Sequence, residues 1–470
     1  MNPHRLVIYL FPLLLLYITD SVFSQTPDCG ITWSPTRQLS SDSVLSNLPQ
    51  LAIAGDTIHV IWYSLDTLGT EAHAGIQYSR STDGGFSWYP QKTLSPPDTA
   101  ASPALLACSG SNVYVAFLGV IDTFYGTVVL RSTDAGTTWL PPQRVRSRGY
   151  LKTLCASEGN VFLGYYYYQS SSDIRNAMLL SRDAGATWIL RNANMPPLVS
   201  VTMAGGKLHG VLTTPSTPIE VYYYYSSDSG RTWAFGETIS REDFTNSLYP
   251  RIAANGNQEI YVVWNDTGAI KMRRSRNNGS AWLSEVKISE GDGAIFTDVA
   301  ARDEFVCATW DGQGDLVVRP SNDFGYTFCP SELPAAGSSA GEPAIRITGT
   351  TLHLAWSETI GGNTEIFYRQ GTLTKNPRLT DVPAALVLND NYPNPFNDVT
   401  HISIELPSPS HVNLTVYNVL GQKVEQLLDQ DMQAGRYEVQ FSSRSRASGV
   451  YFYRLQTPTT VEMKKLIITR

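Results

Sequence analysis

Three acids sit just past strand-ending tryptophans: Asp266 two residues after Trp264, Asp311 directly after Trp310, and Glu358 two after Trp356. Two carboxylates facing each other across a pocket are what glycoside hydrolysis requires, one protonating the leaving oxygen while the other attacks or activates water. Asp66, Glu71, Asp122, Asp173, Glu220 and Asp243 occupy comparable loops. A carboxylate-bearing ligand would instead call for arginine, whose planar fork meets a carboxylate through two parallel N–H···O bonds. The one arginine placed for a pocket is Arg251, in Tyr249-Pro-Arg-Ile. Asp266, Asp311, Glu358, Arg251 and Tyr249 thus mark the expected ligand face. The acids are expected to accept loop N–H bonds or to face water, and no residue is assigned a catalytic role.

Tyrosine rows at Tyr165–Tyr168 and Tyr222–Tyr225 offer sugar-stacking surfaces, although such rows more often pack inside sheets. Metal chemistry has little support. The seven His are scattered, no Cys-His grouping has zinc spacing, and Asp311-Gly-Gln-Gly-Asp315 is short for a calcium loop. No metal or cofactor is expected.

The elements that must carry these residues are repeats. A turn motif, Ser-x-Asp-x-Gly-x-x-Trp, recurs cleanly as Ser81-Asp83-Gly85-Trp88, Ser132-Asp134-Gly136-Trp139, Ser181-Asp183-Gly185-Trp188 and Ser226-Asp228-Gly230-Trp233. Degenerate copies are Ser275-Asn277-Gly279-Trp282 and Ser321-Asp323-Gly325-Phe328. The acidic or Asn positions are 51, 49, 45, 49 and 46 residues apart, the spacing of a four-stranded propeller blade. Asp and Ser side chains can accept turn N–H bonds, Gly supplies positive φ, and the aromatic fills space between blades. One motif repeated around a ring is scaffold, so these acids are read as structural.

A second periodicity precedes each turn: a strand of small residues, a Gly or Asn turn, then an apolar strand ending in an aromatic. It occurs seven times, from LAIAGDTIHVIW ending at Trp62 to IRITGTTLHLAW ending at Trp356. After the last copy comes Glu365–Gly371 as a third strand, with no fourth. Gly30-Ile-Thr-Trp-Ser-Pro-Thr-Arg-Gln-Leu-Ser40 matches Gly85–Ser95, a fourth strand in the first blade. The N-terminal segment is therefore expected to close the ring, removing the exposed edges of an open sheet.

The turns resemble the Asp-box (BNR) repeat of the sialidase-like β-propellers. The resemblance implies an all-β ring of seven blades, with the six of the best-known sialidases as the alternative, and Asp boxes on the face away from the ligand. It also implies a test of activity. Sialidases hold the substrate carboxylate with three Arg, and the first lies in an Arg-Ile-Pro motif before the first repeat. Here that stretch is Asn47-Leu-Pro49, with Asn in the arginine position. Arg80, Arg131 and Arg274 precede box serines, and Arg369 has the analogous place in the last blade, which makes them scaffold. Sialidase activity is not expected.

Composition agrees with a turn-rich β protein: 16% charged residues, 11% aromatics, 36 Gly and 27 Pro. Net charge of −7 excludes a basic nucleic-acid surface. Residues 1–24 read as an export signal, a short basic start then an apolar run from Leu6 to Ile18, with cleavage before Gln25. Thirteen apolar residues are too few to span a bilayer comfortably, so no transmembrane segment is expected after cleavage. Five Cys (Cys29, Cys108, Cys155, Cys307 and Cys329) give an odd count without regular spacing, so most are expected to be buried thiols rather than a disulfide framework.

The propeller is expected over 25–371, a linker over 372–387, and a second unit over 388–470. That unit carries Tyr392-Pro393-Asn394-Pro395-Phe396-Asn397, Val416-Tyr-Asn-Val-Leu-Gly421, Ser448-Gly449-Val-Tyr451-Phe-Tyr, and the basic pair Lys464-Lys465. It resembles the C-terminal sorting domain of the type IX secretion system. Its short alternating strands read as an immunoglobulin-like sandwich. The resemblance implies a translocon partner and export through the periplasm to the outer-membrane surface or extracellular space. The expected function is a non-catalytic surface or secreted propeller that binds glycan or protein. The alternative is a glycoside hydrolase or lyase with a non-sialidase site.

Overall fold

The computed structural model describes residues 29–469 apart from 41–44, 67–72, 96–99, 122, 148–149, 171–172, 192–195, 216, 241–244, 257, 290–293, 313, 336–338, 376–385, 408, 433–434 and 444–445. The export-signal reading over 1–24 and most of the expected linker lie outside the described residues. Every regular element among the described residues is a strand.

Seven antiparallel sheets lie between Ile31 and Leu373, each running in chain order from one strand to the next, and we call them blades 1 to 7. Their innermost strands are Leu45–Ala54, Ala100–Ser109, Tyr150–Ser157, Ser200–Ala204, Ser247–Asn255, Ala294–Arg302 and Ser339–Thr348. Blade 7 takes its outer strand from the other end of the chain. Ile31 lies opposite Leu373, Trp33 opposite Gly371, and Arg37 opposite Tyr368. The strand Asn363–Leu373 runs two residues beyond the expected Gly371 boundary because Ile31 and Thr32 pair with it there.

Seven apolar clusters fill the gaps between neighbouring blades, and each takes one aromatic from a turn motif: Trp88, Trp139, Trp188, Trp233, Trp282 and Phe328. Trp33 supplies the seventh, between blades 6 and 7. The closing strand thus brings both a missing strand and a missing plug.

Within a box the serine hydroxyl is the hub. Gly85 N donates to Ser81 Oγ at 2.8 Å, Ser81 Oγ donates to Asp83 Oδ1 at 2.7 Å, and Ser87 N donates to the same Asp83 oxygen at 2.9 Å. Bonds from the Ser87 hydroxyl and N–H and from Ser81 hold the Asp83 carboxyl down to about 2. The degenerate copies keep this scheme: Asn277 Oδ1 accepts from Ser275 and from Ala281 N, and Asp323 Oδ1 from Ser321 and Thr327 N.

The box glycine has a second duty besides its positive φ. A Cβ at Gly136 (φ 76°) would sit 1.8 Å from the Tyr78 hydroxyl of blade 1, and one at Gly279 (φ 77°) 1.9 Å from the Tyr223 hydroxyl of blade 4. Each of these tyrosines also pairs with a buried histidine: His59 Nδ1 is 2.8 Å from Tyr78 OH, and His209 Nδ1 is 2.6 Å from Tyr223 OH. His353 and Tyr368 repeat the pair at 2.8 Å beneath Gly85. Each box therefore locks onto the blade before it.

The scaffold arginines behave as expected, with one correction. Arg80, Arg131 and Arg274 donate to the box carbonyls of Ala135, Ala184 and Phe324 in the next blade. Arg369 is not in their slot. By ladder register Gln370 faces His353 as Arg80 faces His59, so Arg369 turns to the opposite side of its sheet. There it donates to Ser34 O of the closing strand (2.6 Å) and Pro334 O of blade 6 (2.8 Å). Arg319 does the same one blade earlier, bonding Cys329 O and Ile288 O.

The cysteines depart from expectation at one pair. Cys29 and Cys329 form a disulfide across 300 residues with Cα atoms 6.0 Å apart, tying the closing strand to blade 6. Irregular spacing hid it, because ring closure alone brings these residues together. Cys108, Cys155 and Cys307 are free thiols. The tyrosine rows pack by strand alternation: Tyr222 and Tyr224 against the blade 3–4 cluster, Tyr223 and Tyr225 in the blade 4–5 cluster.

The C-terminal unit begins at Val387 and places a three-stranded sheet and a four-stranded sheet around one core, consistent with the sandwich expected. Its centre is Ile402, Ile404, Val412, Leu414, Val416, Tyr453, Leu455, Leu466 and Ile468. Phe396 of the Asn-Pro motif is buried there, while Tyr392 is 81% exposed. Gly421 (φ 75°) occupies a left-handed turn position, Gly449 opens the strand Gly449–Gln456 opposite Ile468, Tyr451 OH donates to Ala447 O, and Lys464 pairs with Asp390 at 2.9 Å.

Candidate functional site

The innermost strands of all seven blades enclose a central channel with a cavity of about 1030 Å³. Equivalent positions follow from the ladders, and two layers stand out. The deeper layer is Ala52, Ala107, Cys155, Thr202, Ala253, Ala300 and Arg346, each set by its partner on the second strand (His59, Tyr114, Phe162, His209, Tyr261, Cys307, His353). Six are small or medium, and the seventh is an arginine.

Two residues nearer the mouth, the second layer is Gln50, Leu105, Thr153, Ser200, Arg251, Asp298 and Ala344. Arg346 reaches up from blade 7 to Asp298 of blade 6, with Nη1 and Oδ2 3.1 Å apart, and Ile345 N donates to the same oxygen at 3.1 Å. Asp298 is thereby occupied. Arg251 donates one long bond to the adjacent Pro250 O at 3.2 Å and has no ion pair among the described residues. Burial draws its guanidinium down from the usual range, opposed by the nearby Asp298 charge. The channel thus presents spare N–H donors on one cation.

Backbone strain gathers at the same level. Leu48, Tyr249, Phe296 and Glu342 have φ of 55°, 52°, 46° and 54°, on the inner strands of the consecutive blades 1, 5, 6 and 7. Each sits at a register irregularity. A bulge inserts one residue and re-aims side chains, and non-glycine residues at positive φ persist where the surroundings hold them. Leu48 N donates to Glu342 Oε2 at 2.7 Å, and Thr297 Oγ1 to Tyr249 O at 2.7 Å. The result is an aromatic pair at the rim. Tyr249 and Phe296 are 44% and 39% exposed with ring centroids 5.7 Å apart.

Of the expected ligand-face residues, Tyr249 and Arg251 line this cavity. Asp266, Asp311 and Glu358 do not; they lie on second strands, turned into the blade tops. Asp266 is buried against Lys271 and Thr245 Oγ1. Asp311 accepts Gly314 N and lies against Gly341 of blade 7, and burial pushes its carboxyl upward. Glu358 accepts the Trp356 indole N–H at 2.8 Å. Among the described residues the carboxylates lining the cavity near the mouth are instead Asp298 and Glu342, and Glu342 is held by Leu48 N and Ser357 Oγ; Glu71, Asp122 and Asp243 lie outside the described residues. Arg346 could have been noticed as the one charge in a slot that is otherwise small. Phe296 and the bulges had no such signal, since a register slip leaves no composition trace. Asn47 precedes the blade 1 bulge, and its Oδ1 has no hydrogen-bond partner. Among the described residues no cluster of three His, Cys, Asp or Glu could hold a metal ion.

A BNR repeat-like domain matches residues 75–330, more than half of the chain. The chain belongs to the BNR repeat-like family. A secretion system C-terminal sorting domain matches residues 390–469 of this BNR repeat-like protein, which marks it for export by the type IX route to the cell surface or extracellular space. No curated protein matches the sequence. Solved structures similar to it include a protein of unknown function from Dyadobacter fermentans (12% identity, 73% of this chain and 100% of that one, TM-score 0.45). They also include YCF48 bound to D1 peptide (14%, 72% and 97%, 0.48) and the Trypanosoma rangeli sialidase (9%, 94% and 89%, 0.40). Among the described residues no helix is long and apolar enough to cross a membrane.

Proposed function

We propose that this exported BNR repeat-like propeller is a non-catalytic binding module whose ligand, glycan or protein, enters the central channel beside Tyr249 and Phe296. The observation that carries the reading is the state of the channel's charges. Among the described residues, Asp298 and Glu342, the carboxylates lining the cavity near the mouth, are both engaged by structural donors, while Arg251 keeps donors for an incoming acceptor. A glycosidase needs one carboxyl free to give a proton and another free to attack or activate water. A binding site needs donors, an aromatic platform and a cavity. The chain is read as ring over 25–371, linker over 372–387 and sorting unit over 388–470, with residues 1–24 removed on export.

A glycan and peptide array probed with the propeller, run beside a panel of chromogenic glycosides, tests this. Binding that Arg251→Ala weakens by about tenfold or more, the loss of one charge-assisted contact, is expected, with no turnover. Turnover of any glycoside that Asp298→Asn or Glu342→Gln abolishes would replace the binding reading with a hydrolase or lyase.

A further inference from the structure

The last strand, Val461–Ile468, is the edge of the four-stranded sheet, and Gly449–Gln456 is its one strand neighbour among the described residues. Half of that edge is closed. The Asn394 side chain donates to Lys465 O (3.2 Å) and accepts from Ile467 N (2.9 Å), so a side-chain amide stands in for a neighbouring strand. Phe396 N donates to Ile467 O at 3.0 Å, and Thr469 N to Phe396 O at 2.8 Å. The Asn-Pro motif is thus an edge cap. These bonds also show that odd-numbered residues turn their backbone groups away from the sheet. Strand alternation gives Val461 and Met463 the same direction.

Leu388 N donates to the Glu462 side chain in the other half, but among the described residues no strand pairs with it there. Val461 and Met463 are 58% and 55% exposed, an open apolar edge of the kind that recruits another strand. Across the ladder, Met463 faces Arg454 and Lys465 faces Phe452. Arg454 lies over the Tyr417 ring at 5.0 Å. Arg454 thus reaches inward, away from the edge, and the exposed Lys465 is the cation at the end of the open half.

We propose that the type IX translocon reads this tail by β-augmentation: an extended segment, apolar at alternate residues and acidic where it meets Lys465, pairs with the Val461–Met463 edge. The proposal rests on the tail acting as a sorting domain. The Asn394–Phe396 cap limits pairing to the open half and sets its register.

Truncation would not test it, because removing the strand also removes the core residues Leu466 and Ile468. Met463→Pro does. Proline is tolerated on an edge strand where its missing N–H faces outward, so the ladder to Gly449–Gln456 stays intact while docking loses a donor and gains a steric block. Full-length protein is expressed in a type IX host and its surface and medium fractions are measured. Deleting 388–470 should abolish export. Met463→Pro, and separately Val461→Lys with Met463→Lys, should each reduce it by about tenfold, with an unchanged melting temperature for protein recovered from the periplasm. Normal export after deletion of 388–470 would show that the tail is not the sorting signal. Export lost on deletion but normal for both edge variants would overturn the edge proposal alone. If the edge variants instead turned an oligomer into a monomer with export unchanged, the edge would belong to self-association and the proposal would fall.

Discussion

Breaking the Cys29–Cys329 bond should loosen the ring at its seam. The two residues are 300 apart in sequence, and the chain-entropy relation for a loop of that length gives about 5.7 kcal/mol. Removing native disulfides costs about 2–5 kcal/mol in practice, since the unfolded chain keeps some structure. With an unfolding entropy of about 2.1 cal/mol/K per residue over a ring of roughly 340 residues, this becomes a fall of about 3–7 °C in Tm. The effect should be local first. The closing strand is held otherwise by a short ladder to Asn363–Leu373, by Glu332, which accepts Ile31 N and the Trp33 indole N–H at 3.2 Å each, and by the Arg369 bond to Ser34 O. Differential scanning calorimetry of the Cys29→Ser/Cys329→Ser protein, with hydrogen exchange at residues 31–39, reads both effects. Dithiothreitol should lower the wild-type Tm to the variant's value and leave the variant unchanged, because Cys108, Cys155 and Cys307 are free. A variant whose Tm and exchange at 31–39 matched wild type would refute the seam argument.

The buried imidazoles give the ring a pH dependence. Burial lowers His59 and His353 to about 4 and lowers His209 as well, so the folded state keeps them neutral while the unfolded chain binds their protons near 6.5. Stability is fully present above about pH 6.5 and is lost toward pH 4, by roughly 3 kcal/mol for each of His59 and His353; urea midpoints at pH 7.5 and 4.5 should show it, and His59→Gln should flatten the slope. Gly136→Ala drives a methyl onto the Tyr78 hydroxyl at positive φ and should cost about 2–4 kcal/mol, with Tyr78→Phe in the same chain recovering part of it in thermal melts. Asn47 in place of the first pocket arginine predicts no sialidase activity; hydrolysis of a fluorogenic sialoside that Arg251→Ala abolishes would contradict this.

Much of this architecture was legible in the chain. Repeats at fixed spacing announce blades because each blade must solve the same packing problem against its neighbour, so Trp88, Trp139 and their counterparts return in register. Ring closure was legible for the same reason: Gly30–Ser40 copies Gly85–Ser95, and a copy of a fourth strand must fill a fourth-strand place. The sorting tail was readable because Tyr392–Asn397, Val416–Gly421, Ser448–Tyr453 and Lys464-Lys465 stand in the order of a known sorting domain; Phe396 and Gly421 also meet local demands of burial and positive φ. What tertiary structure decided was which side chains meet across blades. Asp266, Asp311 and Glu358 share a sequence position after a tryptophan, yet that position points into blade tops. The channel belongs to inner strands, where Arg251, Asp298 and Arg346 lie 47 and 48 residues apart and meet only because three blades converge. The bulges at Tyr249 and Phe296 are register events between strands, invisible to either strand alone. Cys29 finds Cys329 only after the ring has closed, since no spacing rule links residues joined by curvature rather than by sequence.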